Sequence, residues 1–509
     1  MKFNLKNKTF LIGLGLSLVV IWGIFLRSYN ISEQPYWMDE GYTINATTSI
    51  LEKGVSVLDS DEYYHCPIYC YPTAGLTKIF GATPIAFRLL AILAGVAIIA
   101  LAFSIAKKFY NKNIAILTAV FVSLSYWQIA WSRQARWYTL LILFFWSTWY
   151  FFYKYLNTKK PKDLVALLIL LIFTILTHKI GYFLILAMII WYFFDQFYPK
   201  LKQKTLNKSD HLRLSIIAIA LIVIMIVIER ITFSGFLWQN IKNITLHYKL
   251  PFYLNFYIKT YILFLFFTLY YFFTRKSSTE RRLVLFILWP FVIYLILYSF
   301  LSNIVHYRYL FPTTLAFYIL GSAGIIEFVK NIKRSKNRKI IVIIIAGLFL
   351  LSHHIVIIPR SHYILEADSP NLSGRPYYSR TPQPDFNKGY NFIIENLNNN
   401  EIVISSHPHF NKIFLNQPGY WIKYNYLGFS NDLNSKYGDG DQEYYVGAKI
   451  IDDLAELKEI TDINSGYLIW DFAGRGHIDN NIEKYVENNF EEVFYNRLNS
   501  YSKIWIYKF

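Results

Sequence analysis

Cysteine is nearly absent from this sequence. The 509 residues contain two, Cys66 and Cys70, so at most one disulfide can form. No group of His and Asp residues has the spacing of a metal site, and the chemistry is read without a metal or other cofactor. No internal repeat stands out and there are no inverted halves, which counts against the architecture of secondary transporters. No small-residue cleavage site follows the first apolar stretch, "LIGLGLSLVVIWGIF", although Lys2, Lys6 and Lys8 precede it. That stretch is therefore read as an uncleaved anchor and not as a signal peptide.

Apolar residues are what the chain has in excess: 54% are hydrophobic and 19% aromatic. They fall in runs close to the ~20 residues that span a bilayer, with little helical or strand periodicity inside a run. Spans are expected near 9–26, 84–106, 114–132, 137–155, 164–178, 180–197, 213–231, 255–273, 283–301, 308–328 and 340–358. That makes about 11 transmembrane helices, an α-helical polytopic membrane protein.

The net charge of +18 invites a polyanionic partner, but the positions of the charges say otherwise. With the N-terminus in the cytoplasm, the N-terminal segment and the loops at 107–113, 154–162, 199–213, 275–282 and 330–339 carry 25 of the 51 Lys and Arg. The opposite side has loop 27–82, with 7 acids against 3 bases, and the tail 359–509, with 20 acids against 14 bases. This is the positive-inside pattern of a multi-pass protein of the cell membrane. The charge sets topology, no nucleic-acid partner is implied, and the first loop and the tail are placed outside the cytoplasm.

Three regions follow: a transmembrane domain 1–358 with its outer loop 27–82, a linker 359–386 and an extracytoplasmic domain 387–509. The turn formers in "PNLSGRPYYSRTPQPDF", 370–386, mark the boundary. Beyond it, "KGYNFIIENL", "IDDLAELKEI" and "DNNIEKYVENN" read as helices. "EIVISS" and "SGYLIWDF" read as strands, and "EEVFYNRL" with "SKIWIYKF" as a closing hairpin. Helices alternating with short apolar strands predict a small α/β domain. Cys66 and Cys70 fall in loop 27–82. A disulfide is chemically possible there, but if the segment is helical an i,i+4 pair holds its Cβ atoms too far apart for good geometry, so free thiols are the favoured of two readings.

Ionisable groups are concentrated at the outer ends of the spans. Arg88 lies near the outer end of the second, Arg133 and Arg136 in the turn "WSRQARWY", and His178 and Lys179 in "THKIGY". Arg230 closes the seventh span beside Glu229, and Arg308 opens the tenth in "HYRYLFP". Single Arg or Lys residues at span ends often reach for headgroups. Several on the side that topology leaves poor in bases suit a lipid-borne phosphate instead. His353 and His354 near the end of the last span are read as interfacial. In "PYWMDEGYTINATTSI", 35–50, Asp39 and Glu40 stand side by side. Asp39 has two readings, a helix N-cap or a base that takes a proton from an incoming hydroxyl or amine. Further on, "DEYYHCPIYCYP" offers His65 and the rings of Tyr63, Tyr64, Tyr69 and Tyr71, suited to an interface or to a sugar face.

Together these segments resemble the C-type (GT-C) glycosyltransferases that use polyprenyl-phosphate sugars, especially protein O-mannosyltransferases and lipid A aminoarabinose transferases. The likeness rests on Asp39-Glu40, "HCPIYCYP", "SRQARWYTLL", "LTHKIGYFLI" and "RYLFPTTLAFYILGSAGI" and covers the membrane domain. Where relatives have two prolines after the histidine, this chain has Cys66 and Pro67, which weakens the part assigned to His65. The resemblance implies a membrane glycosyltransferase that moves a sugar from a polyprenyl-phosphate donor to an extracytoplasmic protein, glycolipid or polymer. It implies Asp39 as the catalytic general base and Glu40 as a support to acceptor or sugar. Arg133, Arg136, His178, Lys179 and Arg308 become candidates for the donor phosphate, and His65, Tyr63, Tyr64 and Tyr69 for substrate contact. A transporter or flippase of a lipid-linked sugar is the alternative.

Overall fold

The computed structural model describes residues 5–57, 64, 66–199, 249–300, 307–332, 335–352, 354–363, 384–422, 442–443, 446–475, 478–497 and 502–509. A helix lies at every expected span except 213–231, which falls outside the described residues together with Glu229 and Arg230. Five described helical segments are long and apolar enough to cross a membrane: Pro84–Phe109, Lys179–Phe197, Leu250–Thr274, Ser278–Phe300 and Phe311–Lys330. Contacts divide the chain into two compact units.

The first unit comprises 1–29, 91–133 and 137–359. It contains α1 (Leu5–Ser28), α5 (Lys112–Leu124), α6 (Tyr126–Ser132), α7 (Tyr138–Thr158), α8 (Pro161–Thr177) and α9 (Tyr182–Tyr192), with the later helices through Ser335–Leu351. The apolar run expected as one span at 114–132 is broken at Ser125, whose hydroxyl caps α6 by accepting from the Gln128 N–H. The groups freed by the break are satisfied by the segment after Leu351. Tyr126 N–H donates to the His354 carbonyl at 2.9 Å, and Val356 N–H to the Leu124 carbonyl at 2.8 Å. Broken helices persist in apolar surroundings only when such partners exist. His354, read as interfacial, is instead buried, with its Nε2 3.1 Å from the Tyr318 hydroxyl. The "GSAG" run lets Leu315–Lys330 and Leu250–Thr274 approach closely, since a Cβ at Gly324 would overlap the Phe267 backbone.

The second unit comprises 30–90, 134–136 and 360–509. The first loop supplies α2 (Met38–Lys53) and α3 (Pro67–Phe80), followed by the opening turns of α4 (Pro84–Phe109). The tail forms a six-stranded sheet from β1 (Ile402–Ser405), β2 (Tyr420–Ile422), β3 (Lys449–Ile451), β4 (Gly466–Asp471), β5 (Glu491–Arg497) and β6 (Lys503–Lys508). Its order is β3-β2-β1-β4-β6-β5. The first four strands in that order run parallel, and β6 pairs antiparallel with β4 and β5. β4 is buried throughout, which explains its unbroken apolar run. The predicted helices appear as Phe386–Asn396, Leu454–Ile463 and Asn480–Asn489. Residues 364–383 of the predicted linker lie outside the described residues.

Cys66 and Cys70 are bridged, contrary to the expectation of free thiols. Cys66 is the residue before α3, with φ −146° and ψ 43°. The pair is therefore not two turns of one helix, and its Cα atoms lie 5.4 Å apart, within bridging range.

Candidate active site

The first turn of α2 is built on a buried carboxylate. Trp37 precedes the helix with extended dihedrals, and Asp39 and Glu40 lie in the first turn, where the helix dipole favours negative charge. The cap is made by Glu40 and not by Asp39. The Trp37 N–H donates to Glu40 Oε2 at 2.9 Å. Arg88 donates to the same carboxylate from Nε (2.9 Å) and Nη2 (3.0 Å), and the Ala135 N–H adds a fourth bond at 2.5 Å. Arg88 directs its remaining donors to the carbonyls of Ile31, Gln34 and Pro35, at 2.8–3.1 Å, so all five of its N–H groups are engaged. Both side chains of this pair are wholly buried. The arrangement joins α2, α4 and the turn at 134–136 through one carboxylate.

Asp39 differs from its neighbour in access: its side chain keeps 16% of its surface exposed. Arg136 lies beside it, with Nη2 3.6 Å from Oδ2. Arg136 Nη1 donates to the Asp39 carbonyl (2.8 Å), to Thr43 Oγ1 (2.7 Å) and to the Tyr64 hydroxyl (3.0 Å). Arg136, expected at a donor phosphate, is thus bonded to the Asp39 turn, and Tyr64 is drawn to the same guanidinium. Tyr69 is buried and its hydroxyl donates to the Phe87 carbonyl at 2.8 Å, so it packs the loop and offers no ring face to a sugar. Burial pushes its phenol well above the usual range. Tyr63 and His65 lie outside the described residues.

The remaining expected cations belong to the first unit. Arg133 is buried, and its Nη1 donates to the carbonyls of Tyr29 (2.6 Å), Leu26 and Arg27 (both 3.3 Å). It closes the C-terminal end of α1, where the dipole favours a cation. His178 follows α8, and its Nδ1 accepts from the Ile180 N–H at 3.1 Å. Its ring lies 5.9–6.1 Å from those of Trp137, Tyr138 and Tyr309. Lys179 starts the short 3-10 turn beside it. The Arg308 guanidinium lies over Tyr309 at 5.4 Å, and Tyr309 stacks on Tyr298. His178, Lys179 and Arg308 are all half-buried, which leaves this aromatic-walled group accessible.

Lys249 was missed in the sequence. It precedes the helix Leu250–Thr274, its backbone N–H donates to the Ser299 carbonyl, and its side chain is buried. Loss of hydration pulls its ammonium below the usual lysine range. Nothing local in "HYKLPF" signals this burial. Among the described residues, no three His, Cys, Asp or Glu side chains are placed to hold a metal ion.

Residues 64–228 match the sequence profile of the dolichyl-phosphate-mannose-protein mannosyltransferase family. No curated protein is significantly similar in sequence. Among solved structures, ArnT from Cupriavidus metallidurans in the apo state aligns over 99% of this chain and 98% of its own, at 12% identity and a TM-score of 0.59. The same protein bound to undecaprenyl phosphate aligns over the same shares, at 10% identity and a TM-score of 0.59. The Archaeoglobus fulgidus oligosaccharyltransferase, in complex with Zn and sulfate, aligns over 95% of this chain and 72% of its own, at 13% identity and a TM-score of 0.54. The resemblance read from the sequence therefore holds: the chain has the C-type glycosyltransferase fold over nearly its whole length, with a dolichyl-phosphate-mannose-protein mannosyltransferase match at 64–228.

Proposed function

We propose that this protein is an integral membrane glycosyltransferase that moves a sugar from a polyprenyl-phosphate donor to an acceptor outside the cytoplasm. The observation that carries the reading is the contrast between two adjacent acids. Glu40 is buried and bonded to four donors, whereas Asp39 keeps an exposed edge beside Arg136. In this reading Asp39 is the general base and Glu40 holds the turn that carries it. The acceptor hydroxyl or amine gives its proton to the Asp39 carboxylate as its oxygen or nitrogen bonds to the anomeric carbon. The bond from that carbon to the phosphate oxygen breaks, and its electron pair leaves with the polyprenyl phosphate. In-line attack inverts the anomeric centre.

The half-buried group of His178, Lys179 and Arg308 is assigned to the donor phosphate, with Lys249 as a further candidate. Fixed cations stabilise the charge that develops on a leaving phosphate. The family match and the undecaprenyl phosphate bound by ArnT support a lipid-phosphate donor. Arg133 and Arg88 are assigned to the scaffold, since their donors are directed at backbone carbonyls and Glu40.

The test is turnover by the wild-type protein in nanodiscs, offered a panel of polyprenyl-phosphate sugars with the anomeric configuration of the product read by NMR. Release of free polyprenyl phosphate with an inverted product is expected. Donors that bind but never turn over would move the transporter reading ahead.

A further inference from the structure

The C-terminal domain contacts the acidic turn at a particular place in its own topology. β1 lies between β2 and β4, and all three run parallel, so the chain order reverses between β1 and β4. In open parallel sheets, the crevice beyond the strand ends at such a point is where ligands are held. Here that edge carries Ser406 and His407 after β1, and Asp471 at the end of β4. His407 Nε2 lies 3.2 Å from Asp471 Oδ1, which also accepts from the Ser406 hydroxyl (3.2 Å) and the Gly474 N–H (2.8 Å). All of these side chains are buried.

Two residues further, in the helix Pro408–Leu415, His409 lies against α2. A Cβ at Gly41 would overlap the His409 ring, whose centroid is 5.1 Å from that of Tyr42. The ring cannot easily yield: it is 3% exposed and packs on Phe410 at 4.3 Å and near His407 at 5.6 Å. His409 Nε2 is buried with no hydrogen-bond partner among the described residues, so shape and not a hydrogen bond defines this contact. Gly41 is two residues from Asp39. Nearby, the Tyr36 ring lies tilted 6.0 Å from that of Phe414 in the helix Pro408–Leu415, and the Tyr36 N–H reaches Asn387 Oδ1 at 3.4 Å.

We propose that His409 is a positioning residue for Asp39, and that the C-terminal domain uses the ligand edge of its sheet to hold the turn that carries the base. The inference rests on the reading of Asp39 as that base. A domain that would otherwise look like a separate acceptor module becomes a part of the catalytic apparatus. Glycine is needed at position 41 for the room it leaves for the His409 ring, since a helix interior otherwise favours alanine.

The test is a double-mutant cycle on the full chain in nanodiscs, with kcat, donor KM and melting temperature measured together. Gly41→Ala, which helix propensity alone would make harmless, is expected to lower kcat about 100-fold while donor KM holds, the scale of an ångström-sized displacement of a catalytic group. His409→Ala alone is expected to lower kcat about tenfold by the same loosening of the base. The double variant is expected to recover most of the kcat lost in Gly41→Ala, whereas a merely structural role would lower the melting temperature and leave the kcat of the folded protein unchanged. Wild-type kcat in Gly41→Ala or in His409→Ala, or a double variant no better than Gly41→Ala, overturns the proposal. If Gly41→Ala does not fold, the kcat and KM of His409→Ala decide alone. Asp39→Asn is run beside them: an active Asp39→Asn removes the underlying base assignment, whereas an inactive one leaves the positioning claim to the cycle.

Discussion

Glu40 and Asp39 are adjacent, carry the same group and differ in surroundings. Glu40 accepts from Trp37, Ala135 and twice from Arg88, and both members of the ion pair are buried. Removing one partner of such a pair leaves the other charge unpaired away from water, at a cost of about 3–5 kcal/mol. Glu40→Gln is therefore expected to lower the melting temperature and turnover together, as differential scanning fluorimetry alongside the transfer assay would report. Equal stability in Glu40→Gln and wild type would remove its scaffold role. The pair of acids was legible in the sequence, but the division between them was not. A string shows where Arg88 and Arg133 fall in a span, not that one meets a carboxylate and the other the carbonyls at the end of α1.

The helices of the membrane unit announced themselves through long apolar runs, and the element positions followed closely. What the runs could not show were interruptions such as Ser125, because the compensating partners, His354 and Val356, lie more than two hundred residues later. In the tail, β2 and β3 escaped notice because three residues each carry no usable alternation. The free-thiol expectation failed for a similar reason, since the first residue of the pair lies just outside α3.

Where the helix Pro408–Leu415 meets α2, stability is expected to depend on pH. Burial, with the charge of His407 added, holds His409 well below the usual histidine range. His407 is itself paired with Asp471, and Tyr42 faces the ring from α2. The unfolded chain protonates His409 near pH 6.5 while the folded chain does not, so this stability is present above about pH 6.5 and lost as the pH falls below it. For Asp471, burial raises the carboxyl, but His407 and the hydrogen bonds outweigh burial and hold it below the usual range. Its contribution is lost only below about pH 3.9, a separate window. Melting curves of wild type and His409→Phe between pH 7.5 and about 5 should therefore diverge, with wild type losing stability faster. Parallel curves would contradict a buried neutral His409.

At the scale of the whole molecule, the fold is a polytopic helical unit and a second unit in which the first loop and the tail share one set of contacts. The sequence separated loop and tail because some 270 residues lie between them, and nothing local announces that they fold together. Electrostatics follows the same division. The phosphate candidates His178, Lys179, Arg308 and Lys249 belong to the helical unit, and the proposed base Asp39 with Arg136, and Glu40 with Arg88, to the other. Donor affinity and chemistry are therefore expected to separate under mutation. The most direct measurement is the rate of sugar transfer by Asp39→Asn in nanodiscs, taken with its affinity for the same polyprenyl-phosphate sugar. Donor affinity and melting temperature equal to wild type, with kcat lower by about 100-fold or more, is the predicted result. Undiminished transfer by Asp39→Asn would rule out Asp39 as the base.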